Sequence, residues 1–105
     1  MAQVITLENY RPIARYDGVA FTQARIEESA TTNPNSSYTG IETISLSTLP
    51  GGVDSDPTSP AARNLTTNSA SDTANLWYRV VFIDAASNET TPTDPVQNTS
   101  RSNLS

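Results

Sequence analysis

The chain has 105 residues, a net charge of −5, and neither cysteine nor histidine. Disulfides, thiolate or imidazole metal sites and histidine-dependent catalytic triads are therefore excluded. One domain is expected at this length, and an acidic chain whose basic residues are scattered arginines is not expected to bind nucleic acid.

The first third of the chain predicts two short strands. Apolar residues within 3–7 indicate the first. Across 19–28, Ala24 and Ile26 share one face while charged residues share the other, which predicts a second strand. A helix through 21–29 is the alternative, because glutamine, alanine, arginine and glutamate are good helix formers.

Two further strands are predicted in the middle of the chain. Residues 40–49 carry spaced isoleucines and leucines, and the change of phase between Ile41 and Ile44 indicates a bulge or a late start. Residues 61–67 predict a short strand that contributes Leu65 to the core.

The longest apolar run, 76–83, predicts a strand near the middle of a sheet. It is interrupted only by Arg79 and is rich in β-branched and aromatic residues. Turn-forming residues follow at 84–88. Pro92 and Pro95 then restrict the last strand to an edge of the sheet.

These elements predict an all-β fold, a single antiparallel β-sandwich of about six or seven short strands. The domain is expected to span 1–96, followed by a polar C-terminal tail over 97–105. No apolar stretch is long enough for a transmembrane helix. The first residues lack the features of a signal peptide, so we expect synthesis in a cytoplasm.

Alternation along 76–83 divides its side chains between two faces. The residues predicted to form the core are Ile26, Leu65, Tyr78, Val80 and Phe82. The residues predicted to face outward and bind a partner are Trp77, Arg79, Val81 and Ile83. An outward face in water should be polar, and tryptophan and arginine are enriched at binding hot spots. We therefore expect a neighbouring subunit to cover this face; the alternative is cover by 9–18 or by the tail of the same chain.

No constellation of residues predicts catalysis. Serines and threonines have no histidine or lysine to act as a base. Asp54 and Asp56 lie in a loop rich in glycine and proline, where solvated carboxylates are expected, and calcium binding through them is the alternative. The sequence predicts a protein that is not an enzyme and has no catalytic, cofactor-binding or metal-binding residues.

Three segments resemble strands C, C′ and F of a fibronectin type III domain, namely 24–29, 41–46 and 77–89. In the last, Tyr78, Val80 and Phe82 fill the family's Tyr-x-Val-x-Ala pattern, and Asp-Ala-Ala-Ser-Asn-Glu follows, with Ser87 where the family prefers glycine. The family's strand-B tryptophan is absent. The resemblance implies an immunoglobulin-like or fibronectin type III-like β-sandwich, with the Tyr78 hydroxyl bonded to backbone as in a tyrosine corner.

Four short motifs are also similar to small structural proteins of tailed-bacteriophage virions. They are Asn-Tyr-Arg-Pro at 9–12, Tyr-Asp-Gly at 16–18, Leu-Trp-Tyr-Arg at 76–79 and Asp-Pro-Val-Gln at 94–97. This resemblance implies a non-enzymatic virion protein, made in the host cytoplasm, that serves as a capsid decoration or head–tail connector (neck) component.

The implied partners are capsid, portal or neck subunits and copies of the chain itself in a symmetric array, with no nucleic acid and no membrane. The alternative function is a cell-surface or carbohydrate-binding adhesion module of the fibronectin type III kind, for which exposed aromatic rings would provide a sugar-stacking surface.

Overall fold

The structure, a computed structural model, describes residues 3–14, 16, 19–29, 37–71, 76–93 and 95–97. Within these ranges the chain is all-β, as predicted, and one short 3₁₀ helix, Leu46–Thr48, accompanies the strands. The strands are β1 (Gln3–Tyr10), β2 (Phe21–Ser29), β3 (Tyr38–Ser45), β4 (Arg63–Ala70), β5 (Trp77–Asp84) and β6 (Val96–Gln97). No helix in the described ranges is long and apolar enough to cross a membrane.

The strands form a small β-sandwich of two antiparallel sheets. The larger sheet has the order β3-β2-β5-β6, and the smaller one consists of β1 and β4. The strand β5 lies inside the larger sheet, as its apolar run predicts, and the two-residue strand β6 lies at the edge, where the nearby prolines place it.

The helical alternative for 21–29 is wrong, because these residues form β2. The reason is tertiary: Ala24 and Ile26 lie beside Phe82 and Val80 on β5, and this shared apolar face is buried in the core with residues of the smaller sheet. Helix propensity is a weak preference that this pairing overrides.

The change of phase in the third strand corresponds to a bulge. Ile26 of β2 lies opposite Glu42, and the next residue, Glu27, lies opposite Gly40. Ile41 is therefore the additional residue. The strand ends at Ser45, and the next apolar residue, Leu46, begins the 3₁₀ helix instead of extending the strand.

The core lies between the two sheets. Ile26, Leu65 and Val80 have no exposed surface, and Tyr78 and Phe82 are 1% exposed, so all five predicted core residues are buried. Two further fully buried residues, Phe21 and Leu46, were not singled out by alternation. They lie at the start of β2 and in the 3₁₀ helix, where a period of two gives no information.

Near one end of the core, Glu28 links the central strand to the chain after β4. The hydroxyl of Tyr78 donates to Glu28 Oε2 at 2.8 Å, and the same oxygen accepts the backbone N–H of Ser71 at 2.7 Å. This hydroxyl thus donates to a side-chain carboxylate, whereas the resemblance implied a bond to backbone. Of the predicted tail, only Gln97 belongs to the described residues, where it pairs with Trp77.

Candidate interaction surfaces

The outward face of the larger sheet carries a continuous set of charged side chains. Glu27 accepts hydrogen bonds from Arg25 Nε at 2.9 Å and from Arg79 Nε at 2.7 Å. The guanidinium of Arg79 lies 4.0 Å from the centre of the Tyr38 ring. Arg25 Nη1 and Nη2 bind the two carboxylate oxygens of Glu89 at 3.0 and 2.9 Å. We call these five residues the charged lattice.

Arg25 and Glu89 stabilise the charged forms of each other. Hydrogen bonding to Glu89 is the largest influence on Arg25 and raises its pKa, with Glu27 adding to this and burial opposing it. The same bond lowers the pKa of Glu89 below its usual 4.5.

The predicted partner-binding strip lies on β5, on the same outward face as this lattice, and shares Arg79 with it. Glu89 pairs with Ile83 on the side of β5 away from β2, so the ion pair between Arg25 and Glu89 spans β5. Val81 lies directly opposite Arg25 and is only 2% exposed. Val81 is therefore closed to a partner, contrary to its place in the predicted strip.

The other three residues of the strip, Trp77, Arg79 and Ile83, are half-buried. Instead of a flat apolar strip, the face presents ion pairs with a tryptophan and an isoleucine beside them. Val81 is buried within the described residues without the cover expected from a neighbouring subunit.

A second correction concerns the acidic loop. Asp54 is not a solvated acid: it is buried, and its Oδ1 pairs with Nη2 of buried Arg63 at 2.7 Å. Two backbone hydrogen bonds with Phe21, of 3.0 and 3.1 Å, hold Asp54 below the protein surface. Asp56 is exposed, as expected, and hydrogen bonds from the hydroxyl and N–H of Thr58 lower its pKa.

Asp54 and Asp56 therefore bind different partners within the fold. Asp54 is engaged by an arginine and Asp56 by a threonine, so they do not form a shared set of free oxygen donors of the kind that calcium requires. Across the described ranges, no three acidic side chains converge in a way that could hold a metal ion.

A third surface, which alternation did not reveal, lies in the connection between β1 and β2. Ile13 is 72% exposed, Tyr16 83% and Val19 43%. Its ends are anchored by buried Pro12 and by Phe21. We call the described residues of this connection, 11–14, 16, 19 and 20, the apolar connection. The sequence signal was the isolated large apolar residues in a segment with no strand or helix period.

Comparisons with known proteins leave the family of the chain open. Neither a scan of protein-family models nor searches of curated proteins and of solved structures found a match.

Proposed function

We propose that the chain is a non-enzymatic structural protein that acts through protein–protein contacts, and that the apolar connection is its contact surface. The observation that supports this most directly is the exposure of Ile13 and Tyr16, the two most exposed large apolar residues of the described ranges. Covering exposed apolar side chains with a partner gains roughly 25 cal/mol per Å².

The setting we propose is the virion of a tailed phage, as a capsid decoration or a neck component. Two of the four motifs that resemble such proteins, at 9–12 and 16–18, fall at the start and in the middle of the apolar connection. The partners are then capsid, portal or neck subunits, or copies of the chain itself.

We also propose a relationship to immunoglobulin-like and fibronectin type III domains. The supporting observation is the strand pairing: β1 with β4, and β2 between β3 and β5. This matches strand B with E and strand C between C′ and F, which is the assignment that the sequence resemblance implies for β2, β3 and β5.

The charged lattice is the less suitable contact surface. A partner that covers it must desolvate ion pairs that already satisfy one another, which costs free energy that new contacts only partly return. Trp77 and Ile83 beside it remain available as contacts at the margin.

The test is incorporation of tagged chain into particles during infection by the phage that encodes it. The double variant Ile13→Glu with Tyr16→Glu is expected to keep its circular dichroism spectrum and melting temperature, because both side chains are exposed, and to be lost from purified particles. The matched control is Val4→Glu with Val96→Glu, two other exposed apolar residues.

Normal incorporation of the Ile13 and Tyr16 variant would place the contact surface elsewhere. If the single variant Trp77→Glu is instead lost from particles, the contact surface lies on the outward face of the larger sheet. Specific binding of wild-type chain to an immobilised glycan panel, together with absence from particles, would favour the adhesion module.

A further inference from the structure

A cavity opens beside the start of the apolar connection. Its volume is about 280 Å³, and it is lined by Asn9, Leu49, Pro50, Ala62, Arg63 and Asn64. A cavity of about 150 Å³ already accepts a benzene ring. This one therefore has room for an aromatic side chain.

The lining of the cavity is partly apolar and partly polar. Leu49, Pro50 and Ala62 supply apolar surface. Asn9 and Asn64 are exposed, and the backbone N–H of Asn9 donates to Asn64 Oδ1 at 3.1 Å, which leaves the Asn64 amide nitrogen to donate elsewhere. A side chain with an apolar ring and a polar tip suits such a lining, and tyrosine and tryptophan are of this kind.

The chain itself exposes one side chain of this kind. Tyr16 is 83% exposed, so it does not fill the cavity of its own chain. The other three tyrosines and the single tryptophan are half-buried or buried, namely Tyr10, Tyr38, Tyr78 and Trp77. An empty cavity that suits a tyrosine and a tyrosine that lacks cover therefore occur in the same molecule.

Both ends of the segment that carries Tyr16 lie beside the cavity. Asn9, just before the apolar connection, forms part of the cavity wall. Phe21, just after it, forms two backbone hydrogen bonds with Asp54, whose carboxylate pairs with Arg63 of the same wall. A two-fold axis between tyrosine and cavity lets two copies exchange their tyrosines, and a contact of this type closes on itself.

We propose that the chain forms a symmetric dimer in which Tyr16 of each copy inserts into the cavity of the other. The ring packs on Leu49 and Ala62, and the hydroxyl accepts from the Asn64 amide. Two copies with a net charge of −5 each repel one another, so added salt, which screens this repulsion, strengthens the dimer. The inference rests on the proposed function for the contact surface and names a second copy as its partner.

The test is the association of the purified full chain, measured by sedimentation equilibrium at several concentrations and salt levels. Tyr16→Ser removes the inserted side chain and Ala62→Leu narrows the cavity, and each is expected to weaken the dimer at least tenfold. Both positions are exposed, so both variants should keep the circular dichroism spectrum. Val4→Ser and Ala61→Leu are the matched controls, at exposed residues that belong neither to the connection nor to the cavity.

A mixture of the two variants tests the insertion directly. Each variant alone has lost both contacts of the dimer. A mixed pair keeps one contact, because the Tyr16→Ser chain still has an open cavity and the Ala62→Leu chain still has its tyrosine. The mixture should therefore associate more strongly than either variant alone.

The proposal is overturned if the unaltered chain stays monomeric at millimolar concentration. It is also overturned if both variants leave a dimer intact, or if the mixture associates no more strongly than its components. A dimer of this kind formed by a chain that is absent from particles would leave the inference standing and refute the proposed function. Incorporation into particles of a chain that stays monomeric would do the reverse.

Discussion

Arg25 and Glu89, 64 positions apart in the sequence, form a two-bond ion pair across the central strand β5. The pair joins β2 to the segment that follows β5 and spans β5 near buried Val81. Because the Glu89 side chain is 52% exposed, solvent weakens the pair.

The first prediction concerns the pH dependence of this pair. The pKa of Glu89 is lowered in the folded chain, so the pair stabilises the fold above the unfolded value near 4.5, and this contribution is lost as pH falls through the folded value. Glu89→Gln should lower the melting temperature slightly at neutral pH, and the difference should disappear in acid. Glu8→Gln, at an exposed glutamate of β1, is the control. A difference that persists well below the folded pKa would contradict the assignment.

The second prediction tests the burial of Val81, which is 2% exposed. Val81→Ala removes buried apolar surface and should cost about 2 kcal/mol of unfolding free energy. Val96→Ala, at a valine that is 40% exposed, should change stability by less than about 0.5 kcal/mol. Urea unfolding of both variants provides the comparison. Equal, small effects would show that Val81 is accessible after all.

The third prediction concerns the core. Phe82→Ala should cost on the order of 3–5 kcal/mol, because Phe82 is 1% exposed between the sheets. That is a large share of a typical stability of about 5–15 kcal/mol. Phe82→Leu, which keeps most of the apolar area, should cost less. A melting temperature of Phe82→Ala near that of the unaltered chain would mean that β5 faces the other way.

The fourth prediction concerns the buried pair of Asp54 and Arg63. Asp54→Ala leaves a buried, unpaired guanidinium and should cost about 3–5 kcal/mol. Adding Arg63→Met removes that charge, so the double variant should be more stable than the sum of the single effects implies. Denaturant unfolding of the complete mutant cycle measures this coupling. Strictly additive costs would show that the two groups do not interact.

The fifth prediction concerns Ser87, which has φ of 68° in the turn after β5. Asp84 holds this turn by accepting the N–H groups of Ala86 and Asn88 on Oδ1, at 2.9 Å each. Glycine adopts this conformation without strain, so Ser87→Gly should stabilise the fold by about 0.5–1 kcal/mol after its greater chain entropy is allowed for. Ser87→Ala, which keeps a Cβ, should give no such gain. Equal stability of the two variants would argue against backbone strain.

Features that depend on one segment alone were predictable from sequence. The consecutive β-branched and aromatic residues of β5 identify a strand inside a sheet, and their alternation identifies Tyr78, Val80 and Phe82 as inward. The glycine preference at position 87, known from the resemblance, corresponds to an observed positive φ.

Features that depend on pairing were not predictable. Alternation correctly turns Val81 away from the core, but Val81 is buried, and the position of the Arg25–Glu89 pair beside it follows only from the register of β2 and β5. Asp54 lies in a loop whose composition is typical of solvent-exposed loops. It is buried because its backbone forms hydrogen bonds with Phe21, which is far away in the sequence. The apolar connection has no period from which its exposure could be inferred.

The smaller sheet has a consequence for hydrogen exchange. Its strands β1 and β4 are far apart along the chain; the hydroxyls of Thr6 and Thr66, 60 positions apart, lie 3.0 Å from each other. The pairing of β2 with β5 closes a loop of similar length, so loop-closure entropy does not distinguish the two sheets. In the described ranges β1 pairs with β4 alone. The strand β1 can therefore separate from the rest of the fold once its hydrogen bonds to β4 are broken. The amide protons of β1 should therefore exchange with solvent well before those of β2 and β5, which hold each other from within the larger sheet.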